Sequence, residues 1–253
     1  MDTIHLKDMN WPDIQAAVKQ GYTTVVFGIG STEQHGPHLP LKTDAALADE
    51  MVFRVASRLG NTLIAPTIRV GCSEHHLAFA GSISLKSSTL EAVLKDYVHS
   101  LQKHGFKTII LIPTHGGNFS TVQKVVQILQ KKYADRYIIG ITDLFGFIEP
   151  AYKIAEEADL TREEAGAHAG ESETSMMMVI HSHLVKKERF EPGYIGPTGQ
   201  KEVELILEKG MTALTANGIL GNPENANPER GEKYLQGIVD YFISEIKNQI
   251  KSN

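Results

Sequence analysis

Glu33, His35, Asp44, His115 and Glu173 are all residue types that bind divalent metals. Each lies beside a glycine-rich or turn-prone stretch rather than inside a periodic one. The first three share the run from Gly30 to Asp44, which begins where the apolar stretch Val25 to Ile29 ends. Two carboxylates and an imidazole so close together can hold one divalent ion through oxygen and nitrogen donors. With His115 and Glu173 added, the donor set is large enough for two ions, and the chemistry would be that of a metallohydrolase. Glu33 and His35 are two apart, so in an extended segment both face the same way. Asp44 falls at the start of the next helix, where the helix dipole favours a carboxylate. Taken singly, each has a plainer reading: a solvated loop acid, a turn histidine, an acid in a first turn. Their occurrence together at one strand end favours ligation.

His115 lies in Pro113-Thr-His-Gly-Gly-Asn118, directly after an apolar strand. Its two glycines would let the backbone approach a ligand, and Asn118 is placed to cap the helix that follows. The third cluster, His168-Ala-Gly-Glu171-Ser-Glu173, leads into a methionine-rich helix, Met176 to Met178. Glu171 and Glu173 again stand two apart, although acids in a first turn are common without any catalytic role. His168 is a candidate acid/base because imidazole titrates near neutrality. His75 or His76 could line a pocket, and His38 could stand behind the ligands. The remaining histidines read as surface or packing residues, and the methionine run as core.

The elements that must position these residues alternate. Asn10-Trp-Pro-Asp13 opens a first helix that Gly21 closes. Thr23 to Ile29 is a buried strand, and Ala45 to Leu59 is a helix with an apolar residue every fourth position, ended by Gly60. Asn61–Pro66, Phe106–Pro113 and Tyr137–Thr142 read as strands. Helices run through Leu90–Leu101 and Val122–Leu129, and the last third is helical, with loops at 190–200 and 217–231. This order predicts an α/β fold with a mostly parallel sheet covered on both faces. Ligands in such sheets gather beyond the carboxyl ends of the strands, which puts the Glu33 loop and His115 on one edge. One domain, residues 1–253, is expected, with no linker or repeat.

Composition narrows the class. The chain has 253 residues, 42% hydrophobic and 22% charged, enough to bury a full core. A net charge of −5 counts against nucleic acid or an anionic membrane as partner. Cys72 is the sole cysteine, so an internal disulfide and a thiolate zinc site are both excluded, and a reducing compartment fits. The first residues lack the pattern of a signal peptide, and no apolar run reaches membrane-spanning length, so the expected location is cytoplasmic.

The three ordered motifs, Gly30-Ser-Thr-Glu-Gln-His-Gly-Pro-His-Leu-Pro with Asp44, His115-Gly-Gly-Asn118, and His168-Ala-Gly-Glu-Ser-Glu173, resemble the creatininase (creatinine amidohydrolase) family. The likeness runs from Trp11 to the last helix. It implies a three-layer α/β/α fold, two divalent ions per chain (zinc paired with zinc, manganese or iron), and a homo-oligomer, commonly a hexamer. Carried over by position, Glu33 and His115 would serve one metal, His35 and Glu173 the other, and Asp44 would bridge. His168 would be the catalytic histidine, with Glu171 orienting it or the water. The implied reaction is attack of a metal-activated water on the carbonyl of a small amide, either a cyclic amide or a formamide. A peptidase acting on a short peptide, or a metal-binding assembly protein without catalysis, are the other readings. Two departures point away from creatinine itself: Gly117 stands where creatinine-hydrolysing members carry a glutamate, and the single tryptophan, Trp11, is remote from the motifs. The Gly117 departure would leave one metal to take water in place of a protein ligand.

Overall fold

A computed structural model describes residues 3–252 of the chain; the readings that begin at Met1 or end at Asn253 extend outside these. Four strands, β1 (Thr24–Ile29), β2 (Thr62–Ile64), β3 (Thr108–Pro113) and β4 (Tyr137–Gly140), pair in the order β2-β1-β3-β4. All three pairings are parallel, with Thr24 level with both Thr62 and Thr108.

Successive strand residues point to opposite faces, and both faces are covered. Val25, Phe27, Ile29, Ile109 and Leu111 pack under α1 (Trp11–Lys19), α3 (Ser87–Lys103) and α4 (Phe119–Lys132). Val26, Ile64, Ile110, Ile112 and Ile139 pack under α2 (Thr43–Leu59), α5 (Leu144–Glu156), α7 (Glu171–His181) and α9 (Pro228–Ser252). The result is the three-layer α/β/α arrangement expected. The short α6 (Arg162–Ala165) precedes α7, and α8 (Gln200–Lys209) lies between loops.

Strands are shorter than the apolar runs that announce them, because chain beyond the partner's last paired residue leaves the ladder. Helix α2 begins at Thr43, two residues before the expected start, with Asp44 inside its first turn. The loop expected over 217–231 ends at residue 227. Asn227 Oδ1 accepts from the amides of Glu229 and Arg230 and starts α9 at Pro228.

Strand β1 has β2 on one side and β3 on the other. Chain leaving its carboxyl end therefore enters the crevice where the strand order reverses. Two glycines bring α2 to this point. A Cβ on Gly28 would lie 2.7 Å from Ala48 Cβ, and one on Gly30 2.6 Å from Ala45 Cα. The first turn of α2 thus rests directly against the end of β1.

Candidate metal centre

Four segments deliver the site. The β1 loop carries Glu33 and His35, returning through Gly36 (φ +61°) and Pro37. Helix α2 brings Asp44, the end of β3 brings His115, and α7 with the turn before it brings Glu173 and His168. That turn holds Ala169 at φ +53°, an unfavourable conformation for a non-glycine residue. It lets the Ala169 amide donate to Glu173 Oε2 at 2.6 Å.

The five expected ligands converge as two trios sharing Asp44. His115 Nδ1 lies 3.1 Å from Glu33 Oε1 and 3.4 Å from Asp44 Oδ2. His35 Nε2 lies 3.2 Å from Asp44 Oδ1 and 3.7 Å from Glu173 Oε2. One oxygen of Asp44 therefore faces each trio. An ion with nitrogen and oxygen ligands at about 2.0–2.2 Å in tetrahedral geometry spaces its donors about 3.3–3.6 Å apart. The observed separations bracket that range. Neither oxygen of the fully buried Glu33 accepts a hydrogen bond among the described residues, a costly state that a cation would relieve. Spacing, donor chemistry and the orphaned carboxylate all fit metal ions.

Each histidine is held by a backbone carbonyl at one ring nitrogen, which frees the other towards the cluster. His115 Nε2–H donates to Cys72 O (3.0 Å), His35 Nδ1–H to Glu33 O (3.2 Å) and His168 Nε2–H to Gln34 O (2.8 Å). His168 Nδ1 then faces Glu33 Oε1 at 3.8 Å, and its ring lies 4.2 Å from that of His35.

The electrostatics divide the histidines in two. Burial disfavours charge on His35, but Asp44, Glu173 and Glu33 outweigh it and raise its pKa to about 10. His115 is likewise raised well above its usual range: burial opposes, and the Glu33 and Asp44 carboxylates win. Asp44 is held well below the carboxylate range against its burial, chiefly by His35. Burial pushes Glu173 up to about 7. Burial and the nearby His35 push His168 well below its usual value, so it presents a neutral ring.

His75 and His76, which the sequence left with a minor role, both line the cavity. Gln34 Nε2 donates to His76 Nδ1 (2.9 Å) and to Gly218 O (3.1 Å), so His76 carries its proton on Nε2, which lies 3.3 Å from Glu33 Oε1 without hydrogen-bond alignment to it. Burial lowers the pKa of His76, with neighbouring His168 and His75 adding to the effect. His75 stacks on His115, ring centroids 5.6 Å apart and 10° from parallel. A Cβ on Gly117 would meet Cys72 O at 2.2 Å and His115 Nε2 at 2.6 Å. Gly117 is thus fixed by its surroundings. Gln34 also escaped notice, although it sits inside the Glu-Gln-His run.

Two expectations are corrected. Glu171 is not brought to the cluster: its oxygens accept from Ser175 Oγ (2.6 Å), Arg230 Nε (2.7 Å) and the Tyr234 hydroxyl, inside the packing of α7 on α9. Asn118 precedes α4 but does not cap it with its side chain. Its amide donates to Ile29 O (3.2 Å) and Gly30 O (3.0 Å), and its oxygen accepts from Cys72 N (2.9 Å), tying the loops around the site. His38 Nε2 lies 2.9 Å from Thr174 Oγ1, next in the chain to Glu173.

From the cluster the cavity opens between α5 and α8, walled mainly by apolar side chains. The chain is similar to known proteins along most of its length. The family model described as creatinine amidohydrolase matches residues 7–246. The mycofactocin precursor peptide peptidase of Mycolicibacterium smegmatis is 29% identical over 228 residues, 88% of this chain and 84% of that protein. Creatinine amidohydrolase of Pseudomonas putida is 25% identical, covering 96% of this chain and 97% of its own. A 2-amino-5-formylamino-6-ribosylaminopyrimidin-4(3H)-one 5'-monophosphate deformylase of Methanothermus fervidus is 23% identical over 89% of this chain and 84% of its own. Two solved creatininases, a manganese form (22% identical) and a mutant of the Zn–Zn type (24%), superpose with a TM-score of 0.82 over 98% of both chains. The chain belongs to the creatininase family and is a hydrolase acting on carbon–nitrogen bonds.

Proposed function

We propose that this chain is a two-metal amidohydrolase cleaving a non-peptide C–N bond, in a cyclic amide or a formamide. The observation that carries the reading is the split of Asp44, one oxygen towards Glu33 and His115, the other towards His35 and Glu173. Glu33 and His115 would hold one ion, His35 and Glu173 the other, with Asp44 between them. Ions so placed supply Lewis acidity and make water a better nucleophile at neutral pH. Mixed carboxylate and imidazole donors suit zinc, manganese or iron, and the solved relatives contain zinc or manganese.

His168 is the acid/base. Its neutral Nδ1 faces the cluster and its Nε2–H is anchored on Gln34 O, so it can take a proton from the attacking water and return it to the leaving nitrogen. Water oxygen joins the carbonyl carbon, the C–N bond breaks, and acid and amine result. His76 places an N–H at the rim of the same space, where a developing oxyanion needs a donor. Glu171 is reassigned to structure. A second reading, cleavage of a short peptide, is favoured by the 29% identity to the mycofactocin precursor peptide peptidase.

Elemental analysis of protein purified without chelators, with a creatinine and formamide hydrolysis screen, tests the reading. About two ions per chain are expected. His168→Gln should lower kcat by about 10²–10⁴ with metal content unchanged. Full activity in that variant would remove His168 from the chemistry.

The chain is further read as one domain, cytoplasmic and homo-oligomeric, in keeping with its family. No described helix is long and apolar enough to cross a membrane. Trp11 is 75% exposed, apolar surface of the kind subunit contacts cover. Light scattering should return a mass several times that of one chain, with a hexamer expected; a monomer would overturn the assembly.

A further inference from the structure

The cavity has two chemically distinct halves. Its inner half holds the carboxylates, together with His75, His76 and His168. Its outer half, between α5 and α8, is formed chiefly by Phe145, Ile148, Val203, Ile206, Leu207 and Met211. The polar groups nearby are already engaged within the protein. Thr198 Oγ1 pairs with the Tyr152 hydroxyl (3.2 Å), and Glu202 Oε2 accepts from the Gly199 amide (3.0 Å). Ser172 Oγ donates to Ala165 O (3.0 Å). Among the described residues that line the cavity there is no lysine or arginine, and Glu202 adds a negative charge to the outer half. Phe145 and Leu207 are nevertheless 45% and 59% exposed, leaving apolar surface at the mouth uncovered.

We propose that the substrate is an amide whose non-reacting portion is an uncharged apolar group, alkyl or aryl, seated between α5 and α8. This inference rests on the cavity being the active site. Hydrogen-bonding capacity is concentrated at the inner end, so the scissile carbonyl and nitrogen belong there. The outer half can reward only apolar area. An anionic tail placed there would lose its hydration and meet Glu202 with no cation to pair with. Phosphorylated amides are therefore poor substrates, and very small polar amides leave the apolar half unused.

The test uses the metal-loaded protein and a homologous series of acetamide, butanamide, pentanamide and hexanamide, with succinamate as the anionic match to pentanamide. Binding constants come from calorimetry or competition. Each added methylene should tighten binding by about fourfold until the cavity is filled, as expected for about 0.8 kcal/mol per buried CH₂. Succinamate should bind about tenfold or more weaker than pentanamide. Leu207→Lys, at an exposed position that tolerates charge, should flatten the series and narrow the gap to succinamate. A flat series in the unmodified protein, or preference for succinamate, overturns the proposal. So does Leu207→Lys altering the assembly state while the series keeps its slope, because Leu207 would then be covered by a second copy. A steep series with no turnover of creatinine or any formamide in the hydrolysis screen sinks the amidohydrolase reading and leaves this one standing; turnover in that screen with a flat series does the reverse.

Discussion

Glu171 and Glu173 show how a two-residue spacing changes meaning with the backbone that carries it. In the extended Glu33–His35 segment, side chains two apart face the same way, and both reach the cluster. On α7 each residue turns about 100°, so two residues separate side chains by about 200°. Glu173 therefore faces the site while Glu171 faces α9 and its Arg230. Glu171→Gln should act on stability rather than chemistry. It leaves the Arg230 guanidinium without its counter-charge beside a fully buried side chain, at a cost of about 3 kcal/mol. Turnover per folded molecule should stay within a few-fold of the parent, as judged by kcat beside a thermal melt. A large loss of kcat with an unchanged melt would restore Glu171 to the chemistry. The five proposed ligands were legible in the sequence because their residue types carry the chemistry outright. Gln34, His75 and His76 were not, because their roles depend on who faces them. Gln34 matters through His76 Nδ1, 42 positions away in the chain.

At the scale of elements, the period of apolar residues revealed the four strands and helices α1 to α4 and α9, while α5, α6 and α8 were not singled out, and alternation alone implied a parallel sheet with the site beyond its carboxyl edge. Strand order was not legible, and order is what puts β1 between β2 and β3 and opens the crevice. Nor was the role of Asn118: local pattern suggested a cap, but the Cys72 amide takes the side-chain oxygen that a cap would use, while the carbonyls of Ile29 and Gly30 hold the NH₂. Gly30 is the hinge of this arrangement. A methyl there would fall 2.6 Å from both Ala45 N and Ala45 Cα, which are backbone atoms with no rotamer to escape into. Gly30→Ala should push the start of α2 away from β1 and carry Asp44 with it. The expected loss is about 1–3 kcal/mol of stability, together with a fall in metal stoichiometry, since both trios share Asp44. Elemental analysis of the folded variant checks this. Full metal occupancy would mean that α2 can shift without moving its first-turn carboxylate.

For the molecule as a whole, the cluster ties β1, α2, β3 and α7 together, so metal binding and folding must be linked. Without metal the centre is held by imidazolium–carboxylate pairs. His35, despite burial, is raised to about 10 by Asp44 and its neighbours, and His115 is also raised well above its usual range. At pH 7.5 loading must expel these protons, and calorimetry in buffers of different ionisation enthalpy should count about two released per chain. The sign of the pH effect follows. A histidine raised on folding stabilises fully below about pH 6.5 and loses that contribution as pH rises through its folded value. For His35 that loss is complete only beyond about pH 10. Glu173, raised to about 7 by burial, opposes folding increasingly as pH climbs from its ordinary value to that point and by a constant amount above it, so the decline beyond pH 7 belongs to the histidines. Asp44, held low, stabilises throughout this window. Chelator-treated protein should therefore melt at progressively lower temperature from pH 7 to 10, while loaded protein should not follow it down. With metal at about 100 times its Kd, each filled site adds about 2.7 kcal/mol near neutrality, or about 5–10 °C in Tm for a chain of this size. Coincident melts with and without chelator, and no proton release on adding metal, would separate the cluster from metal binding altogether.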